Sequence, residues 1–533
     1  MIEDDPSIED DPSIRDPFRL IFGHTFHYVD SAAGTQKTRH AMRYAILETR
    51  VERKTIIAMP TLKLIEETVS KTIPEIAKQL GVSVEPVVIT SENTKGSVAE
   101  KICEHIGKAE GGQILFVTHE GLLRILDMPD RVNEWHLIID EVFDPLLSSG
   151  LLKLRYSHFN LGLRPDLERG FGFVYARPLH ATLGEEGAEK KYYHIVPNLI
   201  PEHDDIWSNI RRHIYGQDHD QVYEIFRQIP LWLLQRESLF THKGNWDHMT
   251  RGPDANNKTM AKGKITIAGF RRPDRFLNFR RVTIMSALFD STMLHNLWSR
   301  LGIEFKQSPD IQVNIKTVPL GARRLRIGWL TDAVWSKNSR KKSGGIEVIF
   351  DIVAKSGLID NKANVGIVIN KDDETNLDTL IGIKKLFPKY KVLPHNVRGS
   401  NMWTHLNQLI YVAALNSPTS DIAWTESALG IDGVTQRLGR VGHEIYQTLM
   451  RLGIRLANGT DDITVVVSEK MIADWLVQHF SPQEQVEIVP IDVDGRVAKP
   501  KPTGRPPSGK TRKEQKAEWA RRSRARQKAN KTI

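Results

Sequence analysis

The stretch Val29-Asp-Ser-Ala-Ala-Gly-Thr-Gln-Lys-Thr-Arg-His-Ala41 decides how the rest of the chain is read. It follows an apolar run and opens a helical pattern, and its Lys37-Thr38 ending is that of a loop built to hold phosphate. Such loops follow GxxxxGK[ST], because glycines let backbone N–H groups turn inward around phosphate oxygens. The eight positions here run from Ser31 to Thr38. Gly34, Lys37 and Thr38 are the residues that fit a nucleotide loop, with Thr35 and Gln36 between them. Ser31 takes the place of the first glycine, and Gln36 that of the second. A side chain at Gln36 meets a backbone position that favours glycine. The helix N-terminus that follows favours an anion.

The stretch His136-Leu-Ile-Ile-Asp-Glu-Val-Phe-Asp-Pro145 comes about 100 residues later. The apolar run Leu137–Ile139 leads into Asp140 and Glu141, at the carboxyl end of an expected strand, where α/β folds bind ligands. One carboxylate there suits Mg²⁺, held together with Thr38, and the next suits an attacking water.

Between and beyond these stretches the pattern alternates. "TFHYVDSA", "KTIIAMP", "VEPVVIT", "QILFVTH" and "HLIIDEV" read as buried strands, separated by helical segments such as "TRHAMRYAILETRV" and "TLKLIEETVSKTIPEIAKQL". Residues 145–280 break the rhythm and read as an insertion, after which "RRVTIMSA" restores a strand. A second set follows, with "IEVIFDIVAKSG", "NVGIVIN", "LIYVAAL" and "DITVVVS" expected as strands. This predicts an α/β fold of two parallel-sheet domains in tandem, over 21–305 and 306–488.

Residues 1–20 contain the near-repeat "IEDDPSIEDDPSIRDP", too acidic and proline-rich to build a core, and are expected to form a disordered arm. Residues 489–533 are basic. From Lys499 onward there are 13 Lys and Arg against two Glu; set against +9 for the whole chain, the remainder sums to −2. The basicity therefore belongs to the tail. One cysteine, Cys103, rules out an internal disulfide and all cysteine-based zinc motifs, and fits a cytoplasmic setting. No apolar run long enough for a membrane span and no signal-peptide pattern is present.

With these residues in order, the chain resembles the superfamily 2 helicases, the broad DEAD/DEAH-like group with two RecA-like domains. Further stretches match in sequence: "IIAMPTLKLIEE" with Thr61, "ILFVTHEGLLRI" with Thr118 and His119, "TIMSALFDST" with Ser286 and Ala287, and "HNVRGSNMW" with Gly399 and Asn401. The phrasing "YVAALNSP" and the long connection before "SAL" are most similar to helicases of bacteriophages and mobile elements. The resemblance spans roughly residues 25–480 outside the insertion. It implies ATP and Mg²⁺ as cofactors and Lys37, Asp140 and Glu141 as catalytic residues. It also implies nucleic-acid contacts at Thr61, Thr118, His119, Gly399 and Asn401, and coupling through Ser286 and Ala287. DNA is the expected partner, as a single strand or fork, with RNA and replication proteins as further possibilities.

Departures from the family pattern are specific. Phe143 replaces a polar link between the two domains, with Asp144 one place later, and Leu288 replaces a threonine. The arginine motif QxxGRxxR has two matches. Gln436, Gly439 and Arg440 keep its letters but end on His443; Gln447, Arg451 and Arg455 lack the glycine but stand four apart, which in a helix puts all three on one face. The second set is favoured because "DITVVVS" begins seven residues after Arg455.

In the tail, "TGRPPSGK" resembles an AT-hook around Arg505, and Arg521 and Arg522 belong to a following basic stretch. Salt-dependent, sequence-blind DNA binding is expected from it, with nuclear import or mere solubilisation as the alternatives. Trp207, Trp232 and Trp246 of the insertion are candidates for base stacking, although core packing is the more economical reading.

Overall fold

The computed structural model describes residues 16–147, 153–155, 165–166, 170–171, 174–197, 229, 231–250, 264–313, 315–395, 402–415, 419–456 and 458–491. Residues 2–15 of the acidic repeat, Trp207, Gly399, Asn401, Arg505, Arg521 and Arg522 lie outside these residues.

The first sheet has seven strands: β1 (Thr25–Asp30), β2 (Lys54–Met59), β3 (Val87–Val88), β4 (Ile114–Thr118), β5 (Trp135–Asp140), β6 (Arg281–Ser286) and β7 (Glu304–Gln307). They lie in the order β7-β1-β6-β5-β2-β4-β3, and every neighbouring pair is parallel. Side chains alternate across it. Val29, Ile57, Ile138 and Met285 join the core beneath helix α1 (Lys37–Thr49), while Ile56, Ala58, Leu137, Ile139 and Ile284 enter the core on the opposite face. Both faces are covered, which is why these strands read as continuous apolar runs rather than alternating ones.

The second sheet contains β8 (Leu325–Thr331), β9 (Val365–Val368), β10 (Tyr390–Val392), β11 (Gln408–Tyr411), β12 (Ile463–Glu469) and β13 (Val486–Pro490). Their order is β10-β9-β11-β12-β8-β13, again all parallel. Two RecA-like α/β domains therefore stand in tandem.

One expected strand of this half is a helix. "IEVIFDIVAKSG" forms Ile346–Lys355, and Ile346, Ile349, Phe350 and Val353 are buried at helical spacing. Its β-branched residues suggested a strand, but the period of 3.6 and tertiary packing prevail. A strand of this sheet comes instead from Leu325–Thr331, where Leu325, Ile327 and Leu330 are buried.

Between the adjacent strands β5 and β6 the chain leaves the parallel sheet and builds an antiparallel one. Its main strands are Val174–Pro178, Tyr192–Pro197, Ser238–His242 and Lys264–Phe270. Trp232 and Trp246 are buried, as core packing requires. This sheet grips the second domain. Trp424, on helix Thr419–Leu429, packs with its ring centroid 5.3 Å from that of Phe240 and 6.4 Å from that of Phe270, and Phe18 closes the cluster. Backbone bonds from Leu183 to Ala428 and from Glu185 to Ser427 hold the same helix at its end.

Among the described residues no helix is long and apolar enough to cross a membrane.

Candidate nucleotide site between the domains

The loop after β1 turns sharply before α1. Gly34 has φ +87°, and Gln36, at the mouth of the helix, is held left-handed at φ 62°, ψ 26°. Such a backbone costs an ordinary residue about 1–2 kcal/mol. Gln36 thus occupies the conformation that a glycine would hold, and the loop keeps its turn despite the side chain. Other bonds support it. Thr35 Oγ1 donates to Ala32 O at 2.8 Å, Ser31 Oγ to Ile315 O at 3.0 Å, and the Ala32 amide to Ile315 O at 2.6 Å.

Lys37 is buried, and its Nζ donates to the carbonyls of Ser31, at 2.6 Å, and Ala32, at 3.1 Å. Burial pulls this lysine below its usual pKa, against the opposing pull of Glu141, Asp140 and Asp30. The next residue, Thr38, donates from Oγ1 to Asp140 Oδ2 at 2.9 Å.

Asp140 ends the central strand β5 and is buried. Burial, then the neighbouring Glu141 charge, raise its pKa to about 7, with Thr38 and Lys37 opposing. Glu141 leaves the strand in a left-handed conformation, φ 66°, with its amide on Met285 O at 2.8 Å. That turn sends its carboxylate toward the second domain, where Gln447 Nε2 donates to Glu141 Oε2 at 3.2 Å.

Gln447 belongs to α2 (His443–Leu449). The helix stops there, so Gln447, Arg451 and Arg455 do not share one continuous helical face. Arg451 lies in the turn that follows, and Arg455 ends the short 3₁₀ segment Gly453–Arg455. The glycine at 453 donates its amide to Leu406 O, which breaks the helical register. The turn nevertheless returns both arginines to the first domain. Arg451 and Arg455 line a cavity of about 590 Å³ together with Gly34, Gln36, Lys37, Thr38, Asp140 and Glu141. Arg455 packs on Gly34, and its pKa is lowered by burial and then by Arg451. Two guanidiniums and an ammonium thus converge from two domains where their mutual repulsion disfavours them, an arrangement that a polyanion relieves.

Arg440 takes a different path. It pairs with Asp144, Nε donating at 3.0 Å, and does not line the cavity. Asp144 thus provides a polar contact between the domains beside Phe143, whose ring is buried against His119 and Trp298. His443 donates from Nε2 to the carbonyl of Ala287 at 2.9 Å, and Ser286 is buried with Oγ on that same carbonyl.

Of the positions expected to face nucleic acid, His119, Thr118 and Thr61 are among the described residues. His119 is buried, with Nε2 on Asp140 O at 3.0 Å, which removes it from the surface; it holds the acidic loop instead. Thr118 accepts from the Gly121 amide and Thr61 from the Leu64 amide, each capping a short helix.

The sequence reading missed two contributors. Asp30, directly before the loop, accepts from the Phe289 amide at 3.1 Å. Tyr446, directly before Gln447, accepts from the Ala33 amide at 3.2 Å. Their adjacency to the two motifs was the available signal.

The donors present fit a nucleotide with Mg²⁺. Among the described residues no cluster of three His, Cys, Asp or Glu forms a self-contained metal site. Mg²⁺ characteristically uses one or two protein oxygens and completes its shell with phosphate and water. Thr38 and Asp140 are such a pair. Arg451 Nε and Gln447 Oε1, both buried, have no hydrogen-bond partner among the described residues.

No protein-family model matches the chain, and no curated protein does. Among solved structures it is similar to an XPD helicase, with TM-score 0.44, 10% identity, and coverage of 92% of this chain and 100% of the other. It is also similar to S. cerevisiae Dbp5 bound to RNA and ADP-BeF3, with TM-score 0.33, 11% identity and 89% of each chain covered. A third is the DUF1998 helicase MrfA bound to DNA and AMPPNP, with TM-score 0.29, 10% identity, 85% of this chain and 47% of the other.

Proposed function

We propose that this chain is an ATP-dependent nucleic-acid helicase or translocase acting on DNA, in the replication or recombination of a phage or mobile element. The observation that carries the reading is the convergence of Lys37, Arg451 and Arg455 from two domains on one cavity beside the Thr38–Asp140 pair.

In this reading Lys37 exchanges its loop carbonyls for the β/γ-phosphates of ATP. Thr38 and Asp140 hold Mg²⁺, which when bound neutralises phosphate charge. Glu141, oriented by its left-handed backbone and by Gln447, positions the attacking water. Arg451 and Arg455 stabilise the charge that develops on the transferred phosphoryl group. Because Gln447 and both arginines come from the second domain, the site is complete only when the domains are together. ATP turnover is thereby tied to their relative motion along a strand. The basic tail after Lys499 adds electrostatic grip on DNA.

A steady-state ATPase assay with and without single-stranded DNA tests this, with Lys37→Ala as control. Turnover above that control, stimulated by DNA, is expected. Its absence would favour a second reading, a catalytically weak ATP-binding DNA scaffold, which the left-handed Gln36 and the apolar Phe143 motivate. Strand displacement on DNA and RNA duplexes side by side separates a DNA from an RNA helicase.

A further inference from the structure

The phosphate loop is clasped by the second domain at two consecutive residues. Gly34 lies under the Arg455 side chain, and the Ala33 amide donates to the Tyr446 hydroxyl at 3.2 Å. Tyr446 sits on α2 between two other bonds that cross the domains, His443 to Ala287 and Gln447 to Glu141. Spacings of three and four place these three side chains on one helical face. One face thus touches the loop after β6, the phosphate loop and the acidic loop.

The ring of Tyr446 is fully buried, with His479 at 5.7 Å and Phe480 at 6.2 Å. Packing alone would be served equally by phenylalanine. A buried hydroxyl is costly unless it has a partner, and the partner here is the backbone of a loop in the other domain. Burial raises the pKa of this phenol above its ordinary value, so it stays a neutral hydroxyl. The same loop is tied through Ile315 O to the linker that joins β7 to β8, and Phe480 pairs in register with Val318 of that linker. Loop, linker and helix α2 are thus joined around one aromatic side chain.

We propose that Tyr446 is a positioning residue that sets the phosphate loop from the second domain: its hydroxyl fixes the Ala33 peptide, so the loop is shaped for phosphate only while the domains are docked. The inference rests on the reading of the cavity as an ATP site. Opening of the cleft must break the Ala33–Tyr446 bond, which makes nucleotide affinity sensitive to domain position.

Tyr446→Phe in the full-length chain removes the hydroxyl and keeps the ring. In the ATPase assay with Mg²⁺ and DNA, KM for ATP should rise about five-fold, the worth of one hydrogen bond, with kcat changed by less than about two-fold. Phe480→Leu disturbs the packing around the ring and leaves the hydroxyl in place, so its KM should stay at the wild-type value. An unchanged KM in Tyr446→Phe, a loss confined to kcat, or an equal rise in Phe480→Leu overturns the proposal. A wild type without turnover above the Lys37→Ala control refutes the ATP reading itself, and this inference with it.

Discussion

Arg455 of the second domain lies directly on Gly34 of the first: a Cβ added at Gly34 would stand 3.2 Å from Arg455 Cγ and 3.3 Å from its Nε. Gly34 also has φ +87°, a backbone that L side chains rarely adopt. Gly34→Ala therefore carries a strain of about 1–2 kcal/mol and displaces the guanidinium. ATP turnover should fall at least about ten-fold, as one interaction worth 1.4 kcal/mol is lost. Wild-type turnover in this variant would show that the contact has no functional weight.

The two arginine sets make opposite forecasts. Arg451 lines the cavity, and its Nε is buried without a partner among the described residues, whereas Arg440 pairs with Asp144 outside it. Arg451→Ala should abolish hydrolysis while leaving ATP binding near normal. Arg440→Ala removes a partly exposed pair and should retain most activity. Normal hydrolysis in Arg451→Ala, together with loss in Arg440→Ala, would reverse the assignment.

Gln36 is held left-handed where glycine is at ease. Gln36→Gly should be as stable as wild type or more so. Gln36→Val, β-branched at positive φ, should be less stable by about 1–2 kcal/mol. Denaturant midpoints at unchanged m-values check both, and equal midpoints for glycine and valine would contradict the strain.

His194 is buried in the inserted sheet, stacked 5.4 Å from Phe240, and burial followed by Arg177 and Arg272 lowers its pKa to about 3. Its folded value lies below the ordinary 6.5, so the neutral ring adds stability that is complete above about pH 6.5 and is lost as pH falls toward 3. The melting temperature should drop between pH 8 and pH 5, and the drop should be shallower in His194→Phe. Identical pH slopes in the two proteins would exclude this histidine as a source.

Much of the fold was legible because both sheets are covered on two faces. Ile56–Met59, Ile114–Val117, Leu137–Ile139 and Val465–Val467 are buried throughout, and such runs stand out in a one-dimensional reading. The helix Ile346–Lys355 was misread because its β-branched residues imitate a strand, while the period that marks it is carried by only a few positions. The burial of His119 was not legible for another reason. Its place after β4 does not disclose that its ring reaches the Asp140 carbonyl at the end of β5, two strands away in the sheet.

By itself the sequence determined the local chemistry: a turn before Lys37 and Thr38, a strand ending on Asp140 and Glu141, and the buried strands of the first sheet around them. These depend on residues close together along the chain, so composition and spacing express them. Which arginines meet Lys37 was decided only by the tertiary structure. Arg451 and Arg455 reach the loop because α2 stops at Leu449 and the chain turns back, a geometry set by contacts between domains. The bonds from Tyr446 to Ala33 and from Gln447 to Glu141 join residues more than 300 positions apart, and only packing brings such pairs within reach.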